Sequence, residues 1–174
     1  MLRRASVALV LASLSVAAVA PAASADSPIQ LALVDPIQII SSDQSITGLR
    51  LSLIYGANRD VTGIDLGLIT STSGDFVGWQ SGGLGVVGGN ALGLQTNFVN
   101  LVDGTVEGLQ LGAGNIAGAV EGLQWGGVNY AKRMTGLQLG LVNITDHLHG
   151  VQIGLINIAK NGFLPVFPIL NAAF

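Results

Sequence analysis

A short phrase recurs along most of this chain, and its regular return restricts the folds that the sequence can adopt. The glycine that opens each copy stands at positions 48, 63, 78, 93, 108, 122, 136 and 150, so the copies are separated by 15 residues four times and then by 14 residues three times. Eight copies in one register indicate a repeat architecture, in which each unit completes the packing of its neighbours.

The first eight or nine residues of each copy change little along the chain. The last two copies read GLQLGLVNI and GVQIGLINI, from Gly136 and Gly150. With the opening glycine as position zero, an apolar residue holds position 1, glutamine holds position 2 in six copies, and asparagine holds position 7 in the last five. The repeat positions that we expect to be structurally essential are Gly93, Gln95, Asn100, Gly108, Gln110, Asn115, Gly122, Gln124, Asn129, Gly136, Gln138, Asn143, Gly150, Gln152 and Asn157.

The two faces of this core differ in character. Positions 1, 3 and 5 are mostly leucine or isoleucine, whereas positions 0, 2 and 4 are glycine, glutamine and glycine. This period of two predicts a strand of about eight residues. We expect the leucine face to be interior, so that Leu137→Asp would bury a carboxylate. The glycine and glutamine face has two interpretations. In the simpler one the glycines allow close packing and the glutamines form ladder hydrogen bonds. In the other one this face is a flat strip that binds a partner.

The remaining residues of each copy vary and carry the charges. Between positions 48 and 162, charged residues outside these segments are limited to Arg50 and Asp65. Four charged residues lie at the same position, ten residues after their opening glycines: Asp103, Lys132, Asp146 and Lys160. The variable segment is therefore predicted to be an exposed turn.

Two all-β architectures agree with this pattern. The first is a β-solenoid of 14–15-residue coils with atypical capping ends, in which like residues stack about 4.8 Å apart. The second is a small up-and-down outer-membrane β-barrel, in which each unit is one strand and its leucines face lipid. The recurrence of glutamine and asparagine in register favours the solenoid, because stacked amides form hydrogen-bonded ladders. Turns that alternate between two ends, as in a meander, are not seen.

The composition keeps the barrel open as the alternative. The chain is 49% hydrophobic and only 10% charged, and it ends in Phe174, as bacterial outer-membrane barrels commonly end in an aromatic residue. Aromatic residues are only 5% of the chain, however, which is little for two interfacial girdles. Prolines 28, 36, 165 and 168 mark the segments outside the repeats and suit edge strands or caps.

The chain divides into four segments. Residues 1–25 have two arginines, an apolar run and small residues at Ala23 and Ala25, which is typical of a secretory signal peptide. Residues 26–47 are predicted to form an N-terminal cap strand, 48–162 the eight tandem repeats and 163–174 a C-terminal cap. We therefore expect an exported protein of the bacterial periplasm, outer membrane or cell surface, and a chain without cysteine has no disulfide framework there.

The charge balance bears on partners. Without Arg3 and Arg4 the mature chain has five basic and ten acidic residues, a formal charge of −5. No basic patch compensates, so a nucleic-acid partner is not expected. The partner is otherwise unknown from the sequence, with self-association, an envelope component and membrane association all open.

Sequence motifs for chemistry are weak. Gly83, Gly85 and Gly88 spell a dinucleotide-binding fingerprint, but the chain returns directly to the β repeat where a helix is needed. His147 and His149 lie beside Asp146 without a third firm metal ligand. No serine lies in a nucleophile elbow, and neither Asp65 with Asp75 nor Glu107 with Glu121 is expected to be a catalytic pair. We assign no catalytic residue, cofactor or metal ligand and expect a non-enzymatic protein.

The units GLQLGLVN and GVQIGLIN, with the ending FLPVFPILN, resemble bacterial surface-repeat proteins built from tandem G-L-Q-[LIV]-G-L-[VI]-N units. The resemblance covers about residues 30–174 and is weakest in the copy at Gly78. It implies an envelope or surface location and supplies no catalytic residues. A non-enzymatic exported structural or surface repeat protein that makes weak interactions through its turns is therefore the expected function. A small outer-membrane barrel with a pore or assembly role is the alternative.

Overall fold

The computed structural model describes residues 27–174, which form an all-β protein. One sheet contains all the strands in the order β2-β1-β3-β4-β5-β6-β7. The strands are β1 (Ser27–Val34), β2 (Ile37–Gln38), β3 (Ile46–Asn58), β4 (Val61–Thr72), β5 (Phe76–Val87), β6 (Ala91–Ala159) and β7 (Val166–Ala173). The predicted signal peptide, residues 1–25, lies outside the described residues.

Successive repeats pair in parallel with their opening glycines in register, and the pairing of β3 with β4 shifts by one residue between Ser52 and Tyr55. Gly48 lies opposite Gly63, Gly63 opposite Gly78, and Gly78 opposite Gly93. Like residues therefore stack, and the predicted β-solenoid of coils of about 15 residues is confirmed. The alternative barrel is wrong, because a meander pairs neighbouring strands antiparallel, whereas here the chain returns to the same side after every coil.

The opening glycines form a column that requires glycine for two reasons. All eight have a φ between 123° and 145°, which L side chains rarely adopt. In addition, a Cβ on Gly122 would contact the carbonyl oxygen of Gly108, and the same holds for each glycine and its predecessor. The backbones of adjacent coils thus approach too closely at this point for any side chain.

The variable segment is only in part the exposed turn that the sequence predicted. Short bends at residues 59–60, 73–75 and 88–90 separate β3, β4, β5 and β6, whereas β6 runs without interruption from Ala91 to Ala159, through four variable segments. Two residues before each opening glycine the chain places a buried apolar side chain that belongs to the hydrophobic core. These residues are Ile46, Val61, Phe76, Ala91, Val106, Val120, Met134 and Leu148.

The prediction that the leucine face is interior is also wrong. Leu53, Phe98 and Leu155, all at position 5, are 71%, 69% and 68% exposed, and Leu137 is half-buried. The glutamines at position 2 and asparagines at position 7 are instead fully buried. Side chains alternate along a strand, so the apolar residues at positions 1 and 3, on either side of each inward glutamine, point outward. The outward residues at positions 5 and 6, such as Leu155 and Ile156, interrupt this alternation, so the asparagine at position 7 again points inward.

The two ends are capped differently. At one end β1 stacks on β3 in parallel, with Gln30 opposite Arg50, and β2 folds back onto β1 in an antiparallel hairpin. At the other end β7 runs antiparallel to the last coil, with Asn171 opposite Gln152. The parallel stack therefore ends at both termini of the described chain.

Candidate interaction surface

The glutamines at position 2 form one continuous buried ladder. In each coil the Nε2 atom donates to the Oε1 atom of the preceding coil, at 2.9 Å from Gln95 to Gln80 and at 2.7 Å from Gln152 to Gln138. Gln110, Gln124 and Gln138 continue the series at 2.7–2.9 Å. The predicted amide ladder is confirmed, and a buried amide is stable here because it has partners above and below.

The asparagines at position 7 form a second ladder that runs in the opposite direction. The Nδ2 atom of Asn115 donates to Oδ1 of Asn129 in the following coil at 2.8 Å, and also to the carbonyl oxygen of Trp125. The same pair of bonds recurs from Asn129 and from Asn143. Amide dipoles of the two ladders are therefore opposed, which reduces the net dipole of the polar core.

A buried ion pair ends the glutamine ladder towards the N-terminus. Arg50 and Asp65 are both fully buried, and the guanidinium binds the carboxylate in bidentate fashion at 2.8 and 2.7 Å. Asp65 also accepts from Gln80 at 2.9 Å, and Arg50 donates to the carbonyl of Ser71 and to Thr72. At the opposite end of the ladder, Gln152 Oε1 accepts no hydrogen bond from residues 27–174.

These contacts settle the role of the predicted site residues. Gln110 and Asn115 are inside the coil with every repeat residue of their type, so they hold neighbouring coils together and do not meet a partner. The hypothesis of a glycine-glutamine strip as an outer binding surface is therefore wrong. The close-packing interpretation is correct, since a Cβ on Gly126 or Gly140 at position 4 would contact the preceding coil.

The outer surface has a long apolar side, which we define as the outward residues at positions 1, 3, 5, 6 and 8 of the coils. Between residues 48 and 162 none of these positions has a charged residue. Exposed members include Leu68, Trp125, Leu141 and Ile156, in addition to Phe98. A contiguous apolar surface over the whole stack exceeds what a monomeric soluble protein usually exposes and is typical of an interaction site.

The opposite edge, which we call the charged side, consists of the outward residues from position 10 to the next opening glycine. Lys160 binds Asp146 at 2.8 Å in the adjacent coil, and this hydrogen bond lowers the pKa of Asp146 and raises that of Lys160. Burial opposes the ionised form of Asp60, but hydrogen bonds from the Asp75 backbone, Arg59 and Ser45 still lower its pKa. Charge and apolar surface are thus segregated around the solenoid axis.

A groove of about 830 Å³ lies on the apolar side near the N-terminal end. Its walls are mostly aliphatic and include Leu31, Leu33, Ile39, Leu51 and Leu53. Its polar lining residues are Gln38, whose side chain binds the backbone of Ala57, and Ser52, whose buried hydroxyl has no hydrogen-bond partner among residues 27–174. The groove therefore extends the apolar side.

The remaining sequence motifs lie where they cannot assemble a reactive site. Gly83, Gly85 and Gly88 are in or next to β5, so no helix follows the fingerprint. Among residues 27–174 no cluster of three or more His, Cys, Asp or Glu side chains could bind a metal, and His149 stacks edge-on against Phe174. The same residues contain no helix with the length and apolarity required to cross a membrane.

Sequence reasoning missed the apolar side as a surface because it placed those leucines inside. The glycines at position 4 were the available signal. They lie on the same face as the glutamines, and glycine is needed there because the backbone of the preceding coil leaves no space for a Cβ.

A comparison of the chain with protein-family models, curated proteins and solved structures finds no match.

Proposed function

We propose that this protein is a non-enzymatic, exported structural or surface protein of the bacterial cell envelope, which acts by side-by-side association through its apolar side. The observation that supports the proposal most strongly is the exposed apolar side, which runs the full length of the repeats without a charge. The N-terminal segment with its two arginines and apolar run supports export.

The interior supports a structural role. Two amide ladders and a bidentate ion pair supply partners to most of the buried polar side chains of successive coils, and they hold like residues in register. A rigid coil stack of this kind presents its outward side chains in straight rows. Such rows suit association over a large area, whereas catalysis needs convergent polar groups in a pocket.

Fractionation of a Gram-negative host that expresses the full chain tests the location. We expect processing after Ala25 and recovery of the mature protein outside the cytoplasm. An unprocessed chain in the cytoplasmic fraction contradicts the proposal of an exported protein.

A matched pair of variants tests the surface. Leu155→Glu adds a charge to the apolar side, and Thr135→Glu adds the same charge to an exposed residue on the charged side. We expect formaldehyde to trap the wild type and Thr135→Glu in complexes, and the yield with Leu155→Glu to fall several-fold because a carboxylate opposes burial of the apolar side. Equal yields from the two variants contradict association through this side.

A further inference from the structure

The outward residues at position 5 alternate in size in a way that is symmetric about the middle of the stack. In chain order they are Leu53, Leu68, Gly83, Phe98, Ala113, Gly127, Leu141 and Leu155. Counted from the two ends inward, leucine corresponds to leucine twice, glycine to glycine, and Phe98 to Ala113. The order of residues at position 5 is therefore nearly the same from either end, and inversion of one copy sets the large Phe98 against the small Ala113 at the centre.

Position 3 adds a second pair of unequal size, because inversion brings Trp125 opposite Ser81. At position 1 the same inversion sets two large residues, Trp79 and Leu123, against each other. Trp125 is 60% exposed, so its ring is available to fill space beside a small residue on another chain. Trp79 donates to Thr96 within its own face, so the indole nitrogen already has its hydrogen bond.

We infer that the partner of the apolar side is a second copy of this chain, packed antiparallel about a two-fold axis. The axis lies perpendicular to the solenoid axis, between the coils that open at Gly93 and Gly108. It places Phe98 of each copy against Ala113 of the other. This inference rests on the proposed function and specifies the partner for the same surface.

The available area is sufficient for a stable dimer. Eight coils at about 4.8 Å give a length of about 38 Å, and the five residues from position 1 to position 5 span about 17 Å. The flat area is therefore about 650 Å² per copy, or about 1,300 Å² for both, which lies within the range of specific interfaces. No charged group is desolvated there, because every exposed charge of residues 48–162 lies on the charged side.

The ends and the composition favour this lateral contact over other associations. Strand β7 is antiparallel and contains Pro168, so it interrupts the hydrogen-bonding pattern that end-to-end stacking requires. A lipid surface has no fixed shape, so the pairing of a large with a small side chain, as in Phe98 with Ala113, adds no affinity for lipid. Two copies with flat rows of leucine can interdigitate as paired sheets do.

A swap of the central pair tests the inverted geometry in the purified chain. Phe98→Ala and Ala113→Phe each spoil the match, the first by leaving space and the second by setting phenylalanine against phenylalanine. We expect sedimentation equilibrium to show a dimer for the wild type and a dissociation constant raised roughly tenfold or more by each single change. The double variant restores the pairing and returns to within about threefold of the wild type.

The swap also separates this partner from the others. Both side chains are exposed in the single chain, so circular dichroism of all variants should be unchanged. Binding of a monomer to neutral phosphatidylcholine vesicles, strengthened by Ala113→Phe, overturns the dimer in favour of lipid. A wild type that remains monomeric without vesicles overturns it too, and if formaldehyde still traps complexes in cells, the proposed function stands with a different partner.

Introduced cysteines test the direction of packing, because the chain has none of its own. Residues 53 and 155 are seven coils apart, about 34 Å, on one copy. Facing sheets pack about 10 Å apart, so we expect a bis-maleimide cross-linker about 10 Å long to join Leu53→Cys to Leu155→Cys in a mixture of the two variants, and to join neither variant to itself. Cross-linking of Leu53→Cys with itself indicates parallel packing and overturns the proposed axis. Thr135→Cys, at an exposed residue on the charged side, is the control.

Discussion

Removing one member of the buried Arg50–Asp65 pair should destabilise the N-terminal coils strongly. Both side chains are fully buried and joined at 2.8 and 2.7 Å. Asp65→Asn leaves the guanidinium buried with only neutral partners, since Ser71 and Thr72 supply a carbonyl and a hydroxyl. Loss of one partner from such a pair costs about 3–5 kcal/mol, because the remaining charge is desolvated without compensation.

The double variant Arg50→Gln with Asp65→Gln should recover most of this loss. Six later coils have glutamine at the same position, and there each amide donates to the coil before it at 2.7–2.9 Å or, for Gln80, to Asp65. Two more amides extend that ladder and remove both buried charges. We expect a free energy of unfolding within about 1 kcal/mol of the wild type, since neutral replacement of a buried pair is often tolerated.

Arg59→Gln is the matched control, because it removes an ion pair of the same type from the surface. Arg59 and Asp60 are 3.0 Å apart, with half-exposed side chains. The expected cost is below about 1 kcal/mol, since solvent screens such pairs.

Amide hydrogen exchange is the appropriate assay, because coils of a solenoid can open locally and a single global transition is not assured. Protection should fall in β3 and β4 of Asp65→Asn while the distant end of β6 keeps the wild-type rate. Denaturant unfolding followed by tryptophan fluorescence gives the global value. The reasoning is refuted if Asp65→Asn is as stable as Arg59→Gln, or if the double variant is less stable than Asp65→Asn.

Three other substitutions follow from the positions of single residues. Gly122→Ala should reduce folded yield sharply, since φ is +145° and its Cβ would contact the Gly108 carbonyl, whereas Gly114→Ala meets only ordinary contacts and should express normally. Leu137→Asp, on the outward face, should lower the free energy of unfolding by less than about 1 kcal/mol, whereas Met134→Asp, in the buried core, should lower it by more than about 3 kcal/mol. Thermal unfolding measures both values, and equal losses would contradict the outward position of the leucines. The lowered pKa of Asp60 means that its ionised form stabilises the fold above its unfolded value of 3.8, and this contribution is lost as the pH falls through the folded pKa. The stability difference from Asp60→Asn should therefore vanish in acid, and a difference that persists at the lowest pH would show that the carboxylate charge is not responsible.

The core columns show what sequence reasoning could have found and did not. The residues two before each glycine are apolar in every repeat, but they differ in identity, from Phe76 and Met134 to Ala91. Because the leucines recur more uniformly than the residues two before each glycine, a search for identical residues assigned the leucines to the core. Apolar character in a variable segment was the overlooked signal, because a core column needs bulk that fits its neighbours and not one residue type.

The sequence by itself determined the repeat, the coil length, the register and the ladders. Recurrence of glycine, glutamine and asparagine at 14–15 residues leaves few arrangements other than stacked parallel coils, because amide ladders require like residues in adjacent layers. Alternation with period two also assigns the leucines and the glutamines to opposite faces. Neither property states which of the two faces is the inside.

Only the tertiary structure decided that question. Within one narrow coil, the glycines at position 4 lie against the preceding backbone, so their face must be the crowded interior. Gln110 and Asn115 can share that interior because each amide is hydrogen-bonded to neighbouring coils, and a buried polar group with its partners is stable. The leucines are consequently left outside, on the outer surface of the coil.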